Sequence, residues 1–207
     1  MKYLNCNGNP IGGLPIDNFV KLEELYCVQC SLWSLNLTKC AKLRILSCEN
    51  NYYLQILHVD NCKLLEEISC YGNQIENLDV STCSSLRRLL CNGNKLSSLD
   101  ASENANLEVL DCSSNKLTSI DNIEKRYLRV LNCAYNQLTS IDISECKELQ
   151  ELYCEFNQLC DLDVSENKKL LSLNCNRNHL ECLDIGECKG LESLHCHENK
   201  IKQIINH

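Results

Sequence analysis

Eighteen cysteines stand out among the side chains of this 207-residue chain that could do chemistry. Thiols can pair as disulfides, bind metal ions or act as nucleophiles. Ten of them recur at an almost constant interval of 21 residues: Cys6, Cys27, Cys48, Cys70, Cys91, Cys112, Cys133, Cys154, Cys175 and Cys196. An interval of that length places one side chain at the same point of successive structural units, so the spacing decides which chemistry is available.

The regular spacing argues against a disulfide framework. Thiols at the same inward position of successive strands have parallel Cβ vectors, whereas a disulfide needs opposed side chains. Five more cysteines share a second column, in which Asn104 and Asn167 replace them: Cys40, Cys62, Cys83, Cys146 and Cys188. We expect both columns to be buried, reduced thiols that pack as small hydrophobic groups with a weak S–H donor. Cys160 and Cys182 fall outside this pattern; plain surface thiols are the favoured interpretation, and a redox pair stays open.

Two further groups have residue types found in metal sites. An aspartate column recurs at one repeat position and would offer oxygen ligands to calcium: Asp79, Asp100, Asp121, Asp142, Asp163 and Asp184. The glycine-rich calcium loop of β-solenoids is missing, so outward polar residues of a strand are the favoured interpretation. His195 and His197 flank Cys196, but a structural zinc site needs four ligands. With no nucleophile beside a base, the sequence predicts no metal, no cofactor and no enzyme activity.

The element that must position these side chains is a repeat of 21 residues. Ten units begin at Met1, Leu22, Leu43, Leu65, Leu86, Leu107, Leu128, Leu149, Leu170 and Leu191. The third has 22 residues, with the extra one between Tyr52 and Ile56, and the tenth stops at His207 after 17. The shared pattern is L-x-x-L-x-C-x-x-N-x-L-x-x-L-D-x-S-x-(C/N)-x-x, seen best in residues 149–169. It predicts one solenoid domain over residues 1–207, in which each unit buries its apolar face on its neighbours.

This pattern resembles the leucine-rich repeat family, whose signature L-x-x-L-x-L-x-x-N/C-x-L is matched with Cys in place of the third Leu. The resemblance covers essentially the whole chain and is strongest to the short bacterial-type repeats of 21 residues. It implies a parallel β-sheet on one face and the binding of another macromolecule.

The elements also follow from the residues themselves. Leu at positions one and four and Cys at position six alternate with polar residues, which is typical of a strand. Asn at position nine falls where the strand must turn, and its carboxamide can satisfy buried backbone groups there; Cys30 replaces it in the second unit. We expect little helix, gentle curvature, and short second strands or turns on the other face, around 78–80 and 141–143.

Composition and charge limit the partners. Two prolines, seven glycines and no low-complexity segment leave no linker, and no apolar run could insert in a membrane. A net charge of −8 argues against nucleic acid as a partner. Unpaired buried thiols favour a reducing cytoplasm, while secretion as part of a longer precursor stays open. The ends lack polar caps, so either the natural chain continues or the ends stack on another copy.

The outward surface of the main sheet is the predicted binding site, because it carries apolar side chains on adjacent strands. The candidate residues are Tyr71, Leu90, Val109, Val130, Tyr135, Tyr153 and Phe156. The sequence thus predicts a module that binds a protein partner through this face. The alternative is a structural spacer within a larger surface or secreted protein.

Overall fold

Ten short parallel strands, one from each repeat, form the main sheet of the computed structural model, which describes residues 1–120, 123 and 126–206. Four further strands form two small pairs on the second face of the solenoid. In chain order the strands are β1 (Tyr3–Asn5), β2 (Glu24–Tyr26), β3 (Ser34–Asn36), β4 (Ile45–Ser47), β5 (Ile56–His58), β6 (Glu67–Ser69), β7 (Arg88–Leu90), β8 (Val109–Asp111), β9 (Val130–Asn132), β10 (Glu151–Tyr153), β11 (Ser172–Asn174), β12 (Cys182–Asp184), β13 (Ser193–His195) and β14 (Gln203–Ile205). The predicted solenoid with a parallel main sheet is confirmed.

Every main-sheet strand covers positions three to five of its repeat, and the register never slips. Leu110 pairs with Leu89 on one side and Leu131 on the other. The pairing holds even where the third unit is one residue longer, since Leu46 pairs with Ile68. A one-residue slip would turn the buried leucine of each strand outward, so burial of the position-four column fixes the register.

Columns of leucine and cysteine fill the core between the two faces. Of the eighteen cysteines, fourteen are buried and none forms a disulfide, which confirms the predicted thiol columns over most of their length. Cys6 and Cys196 are only half-buried. They lie in the first and last turns, where a neighbouring turn covers one side only, so the expectation of full burial was wrong for these two.

The asparagine column ties each turn to the one before it. Asn136 is buried, and its Nδ2 donates to the Cys112 and Cys133 carbonyls, both at 3.1 Å. Its Oδ1 accepts the Leu117 N–H at 2.9 Å. In the second turn Cys30 takes this place, and its Sγ donates to the Cys6 carbonyl at 3.0 Å. A single side chain thus satisfies backbone groups of two turns, as the sequence predicted.

The second face is less regular than the sequence suggested. Among the described residues its strands lie only near the two ends, where β3 pairs with β5 and β12 with β14, and one isolated bridge joins Ala101 and Ile123. Residues 78–80 and 141–143, expected to be strands, are not paired. Backbone bonds between middle turns on this face occur at the start of the segment, as in Lys95 N–H to the Ile75 carbonyl at 2.9 Å. The predicted second strands are therefore confirmed for the end turns and wrong for these two segments.

Over residues 1–120, 123 and 126–206 the structure has no helix, and accordingly none that could cross a membrane. This agrees with the low helix content that the sequence predicts.

Candidate functional site

The seven candidate residues all lie on or beside the outward surface of the main sheet, but they do not form one continuous patch. Val109 on β8 and Val130 on β9 pair directly in register and are both half-buried. Tyr71 follows β6, on the far side of Leu90 from the others, and is 37% exposed. Val109 and Val130 are therefore brought together, whereas Tyr71 stands apart.

Two polar residues divide the centre of the surface. Leu90 on β7 and Tyr153 on β10 lie in the same column, with Asp111 and Asn132 between them. The Asp111 carboxylate accepts the Ser113 N–H at 3.0 Å and the Ser113 hydroxyl at 2.7 Å. The apolar residues thus surround a polar centre, which fits a partner that offers both apolar and hydrogen-bonding groups.

Tyr153 is held in place by its own strand. Its hydroxyl donates to Glu151 Oε2 at 2.9 Å, two residues back on the same face of β10. This hydrogen bond, together with burial, raises the pKa of Tyr153. The ring is half-buried and oriented before any partner arrives, so little side-chain entropy is lost on binding.

An aromatic ribbon runs along the edge of this surface, in the turn that follows each strand. We use the term for Tyr135, Phe156 and Arg177, all at position eight of successive repeats. The Tyr135 and Phe156 rings stack with centroids 4.2 Å apart and planes at 15°. The Arg177 guanidinium lies over the Phe156 ring at 4.6 Å and donates to Glu198 Oε1 at 2.8 Å. The ribbon presents a flat apolar surface with a fixed cation at one end.

The backbone of the aromatic ribbon is left-handed, with φ of 54° at Tyr135, 54° at Phe156 and 53° at Arg177. All ten turns are left-handed at this position; three use glycine, and the other four use Gln29, Asn50, Ser114 and Glu198. A residue with a Cβ costs about 1–2 kcal/mol more than glycine in this region. The left-handed backbone is therefore a property of the repeat, and the stacked rings are what distinguishes the turns of Tyr135 and Phe156.

Glu155 lies beside Tyr153 on the outward face and carries an unsatisfied group. Its Oε2 is buried and has no hydrogen-bond partner among the described residues. Burial raises the pKa of the Glu155 carboxyl, and the Asp111 charge adds to that effect, while His195 opposes it. Glu155 is therefore a carboxylate that gains from a donor supplied by a partner.

The aspartate column closes turns. Asp79 Oδ1 accepts the Ser81 N–H at 2.9 Å and the Ser81 hydroxyl at 2.6 Å, and Asp100 binds Ser102 in the same way. These hydrogen bonds lower the pKa of both carboxyls. Asp121, which belongs to the same column, lies outside the described residues. Nowhere in the described part of the chain do three His, Cys, Asp or Glu side chains gather in a metal-binding group, the His195 region included.

Two thiols are accessible to reagents. Cys160 and Cys182 are exposed, as the sequence predicted, and Cys182 begins β12. The buried thiols are held in the protonated form: burial raises the pKa of Cys83 to about 11 and that of Cys70 to about 12. Because the thiolate is the reactive form, these buried residues are not nucleophiles at neutral pH.

The sequence analysis missed a second exposed aromatic group. Trp33 and Tyr53 stack with ring centroids 4.9 Å apart and planes at 13°, on the second face of the solenoid. Both side chains are more than half exposed, at 60% and 53%. Two signals could have revealed the pair: Trp33 is the only tryptophan of the chain, and Tyr53 lies in the one insertion of the repeat.

Comparisons with known proteins agree with the repeat geometry. A family model described as leucine-rich repeats in two copies matches residues 84–125 and 128–167. The functional domain of InlJ from Listeria monocytogenes, described as including a cysteine ladder, is 29% identical with a TM-score of 0.86. That match covers 98% of this chain and 50% of the InlJ chain. No curated protein matches the chain by sequence.

Two further solved structures share the architecture. A leucine-rich repeat protein of Leptospira interrogans is 29% identical, with a TM-score of 0.85 over 99% of this chain and 56% of its own. A plant peptide hormone receptor, RGFR1 in complex with RGF2, is 24% identical, with a TM-score of 0.65 over 89% of this chain and 37% of its own, and shows the fold alone.

The chain thus spans about half the length, or less, of these three solved structures. The family model and these neighbours agree on a leucine-rich repeat solenoid.

Proposed function

The family model and the solved structures support a leucine-rich repeat family for this chain, and on that premise we propose that it binds a protein partner through the outward surface of its main sheet. The contact surface consists of Val109 and Val130 at one side, the aromatic ribbon at the other side, and Tyr153 between these two sides. Leu90 and Tyr71 extend it toward the first repeats. Asp111, Asn132 and Glu155 supply the polar groups between them.

The observation that carries this proposal is the aromatic ribbon. Tyr135 and Phe156 keep large apolar rings at left-handed positions where the core does not need them. Tyr135 is 50% exposed and Phe156 is half-buried, so both rings add apolar area to the surface. Aromatic side chains together with arginine are also the residue types that dominate binding energy in protein interfaces.

Two substitutions test the assignment without disturbing the core. Tyr153→Ala removes an outward ring, and Phe156→Gly removes the stacked ring while easing the left-handed backbone. A pull-down with the intact module supplies the partner, and its affinity is then measured by calorimetry. We expect each variant to weaken binding at least about tenfold, because truncation at an interface hot spot costs about 2 kcal/mol or more. Tyr153→Ala should keep the denaturation midpoint of the parent, and Phe156→Gly should not lower it.

Lys168→Ala is the matched control, because this exposed side chain lies in the turn before β11 and not on the main sheet, paired with Glu187 at 3.2 Å. It should change neither affinity nor stability. If the affinity for the partner is unchanged by substitutions of Tyr153 and Phe156 but falls on substitution of Lys168 or Asp142, the binding face has been assigned to the wrong side. The spacer alternative predicts that no partner is retained by the intact module.

A further inference from the structure

A second exposed apolar surface lies away from the main sheet, in the second and third turns. The stacked rings of Trp33 and Tyr53 form its centre. Ile56 is 50% exposed at the start of β5, and Tyr52 is 63% exposed beside Tyr53. Grouped exposed side chains of this size mark interaction surfaces in soluble proteins.

This aromatic stack is continuous with a cleft. The Gln55 N–H donates to the Trp33 carbonyl at 3.2 Å, and Ile56 pairs with Ser34 in the β3–β5 sheet. Ile56 then lines a cleft of about 310 Å³ between the third and fourth turns. The remaining wall is formed by Gln55, Leu57, His58, Val59, Asp60, Asn77 and Asp79.

The charge of the cleft is negative. Asp60 and Asp79 are its carboxylates, and its only basic group is His58, whose Nδ1 lies 3.7 Å from Asp60 Oδ2. Asp79 is held ionised by the donors of Ser81. A cationic side chain entering this cleft would meet opposite charge, and its apolar neighbours would meet the Trp33 and Tyr53 rings.

We propose that Trp33, Tyr53, Ile56 and the Asp60–Asp79 cleft form a second binding surface, which takes an extended protein segment carrying arginine or lysine next to an apolar residue. The cationic head group enters the cleft, and the apolar residue lies on the aromatic stack. This surface is separate from the main-sheet site, so either assignment can hold without the other.

Fluorescence offers a local test, because Trp33 is the only tryptophan in the chain. The probe is a blocked hexapeptide of alternating arginine and leucine, titrated into the intact chain, and the comparison is the same peptide with glutamate for arginine. The basic peptide should change Trp33 emission saturably with Kd below about 1 mM. The acidic peptide should leave the emission unchanged.

Variants separate this surface from general attraction to an acidic protein. Tyr53→Ser should weaken binding about tenfold, as expected for an aromatic contact. Asp60→Asn should weaken it about threefold, the effect of one exposed ion pair. The matched control Asp161→Asn removes an exposed carboxylate far along the chain and should change nothing. The proposal is overturned by equal responses to both peptides, by no response at 1 mM, roughly the weakest affinity expected, or by equal losses in Asp60→Asn and Asp161→Asn.

Discussion

Cys188 and Asn167 occupy the same repeat position in adjacent turns and make the same contacts with different atoms. Cys188 Sγ donates to the Val164 and Asn167 carbonyls at 3.6 and 3.8 Å. Asn167 Nδ2 donates to the corresponding carbonyls of Ile143 and Cys146 at 3.0 and 2.9 Å. The Oδ1 of Asn167, however, is buried and has no partner among the described residues. This repeat position therefore provides carbonyl acceptors for a side-chain donor, but no donor for a side-chain acceptor.

Exchange of these two residue types should therefore be asymmetric. An unpaired buried acceptor destabilises the folded state by about 1–3 kcal/mol, and Asn167→Cys removes it. Since S–H is the weaker donor, we expect the net free energy of unfolding to rise by about 1 kcal/mol. Cys62→Asn introduces the same defect and should lower it by a similar amount. Urea denaturation under reducing conditions measures both; a clear loss of stability in Asn167→Cys would mean that Oδ1 is satisfied.

The thiol ladder predicts a loss of stability at alkaline pH. Burial raises the pKa of Cys70, Cys112 and Cys175 to about 12, from the ordinary value of 9.0. Below pH 9 these thiols are protonated in both states, and their contribution to stability is complete. Between pH 9 and 12 the unfolded chain ionises first, so each thiol lowers the free energy of unfolding by about 1.4 kcal/mol per pH unit.

The measurement is the urea midpoint at pH 7.5, 9 and 10.5. Lysine and tyrosine side chains also titrate in this range, but they do so equally in the parent and in Cys112→Ala. The difference between the two proteins therefore reports the thiol. The variant should be less stable at pH 7.5, because it leaves a small cavity, yet lose less stability on going to pH 10.5. If variant and parent lose the same stability between pH 7.5 and 10.5, burial does not keep the ladder thiols protonated.

The asparagine column should contribute most to the free energy of unfolding in the middle of the solenoid. Asn136 bonds to three carbonyls and one N–H in two turns, whereas Asn9, which is exposed, bonds to the Cys6 and Asn7 carbonyls. Asn136→Ala should lower the free energy of unfolding by about 2–3 kcal/mol, because it leaves buried backbone groups without hydrogen-bond partners. Asn9→Ala should cost well under 1 kcal/mol, since water replaces its contacts. Equal shifts of the two denaturation midpoints would contradict the buried ladder.

Reactivity of the thiols should follow their exposure, with the two exposed residues reacting first and the half-buried Cys6 and Cys196 more slowly. Cys160 and Cys182 are exposed, and Ellman's reagent should titrate them rapidly in the native protein. After unfolding in denaturant without reductant, all eighteen should react. The Cys160→Ser/Cys182→Ser double variant should lose the rapid phase only. Recovery of far fewer thiols from freshly purified protein would show that disulfides form.

The main sheet could be predicted closely because its information is local to each repeat. Leu110 and Cys112 must face inward in every turn, and that alternation alone specifies strand and register. The second strands could not be placed, because residues 77–79 and 182–184 have similar patterns but differ in pairing with their neighbours. Pairing there depends on the distance between turns, which no single repeat encodes.

The candidate binding surface was predictable in outline and remains a prediction. Alternation places Tyr153 and Val130 outward, but the separation of Leu90 from Tyr153 by Asp111 depends on register across four strands. The stack of Tyr135 on Phe156 depends on the left-handed turn that follows each strand, and the apolar pattern does not reveal that turn. Trp33 was overlooked because its partner Tyr53 lies where the repeat alignment breaks.

The longer third repeat separates two kinds of change open to this chain. Its extra residue lies between Asn51 and Leu54, while Asn51 keeps its ladder bonds and Leu46 keeps its sheet partners. Insertions on that side can therefore alter surface chemistry, as Tyr52 and Tyr53 do, without displacing any residue of the main sheet. One side of the molecule can diversify by changing loop length, whereas the other can diversify only by replacing side chains on a fixed grid.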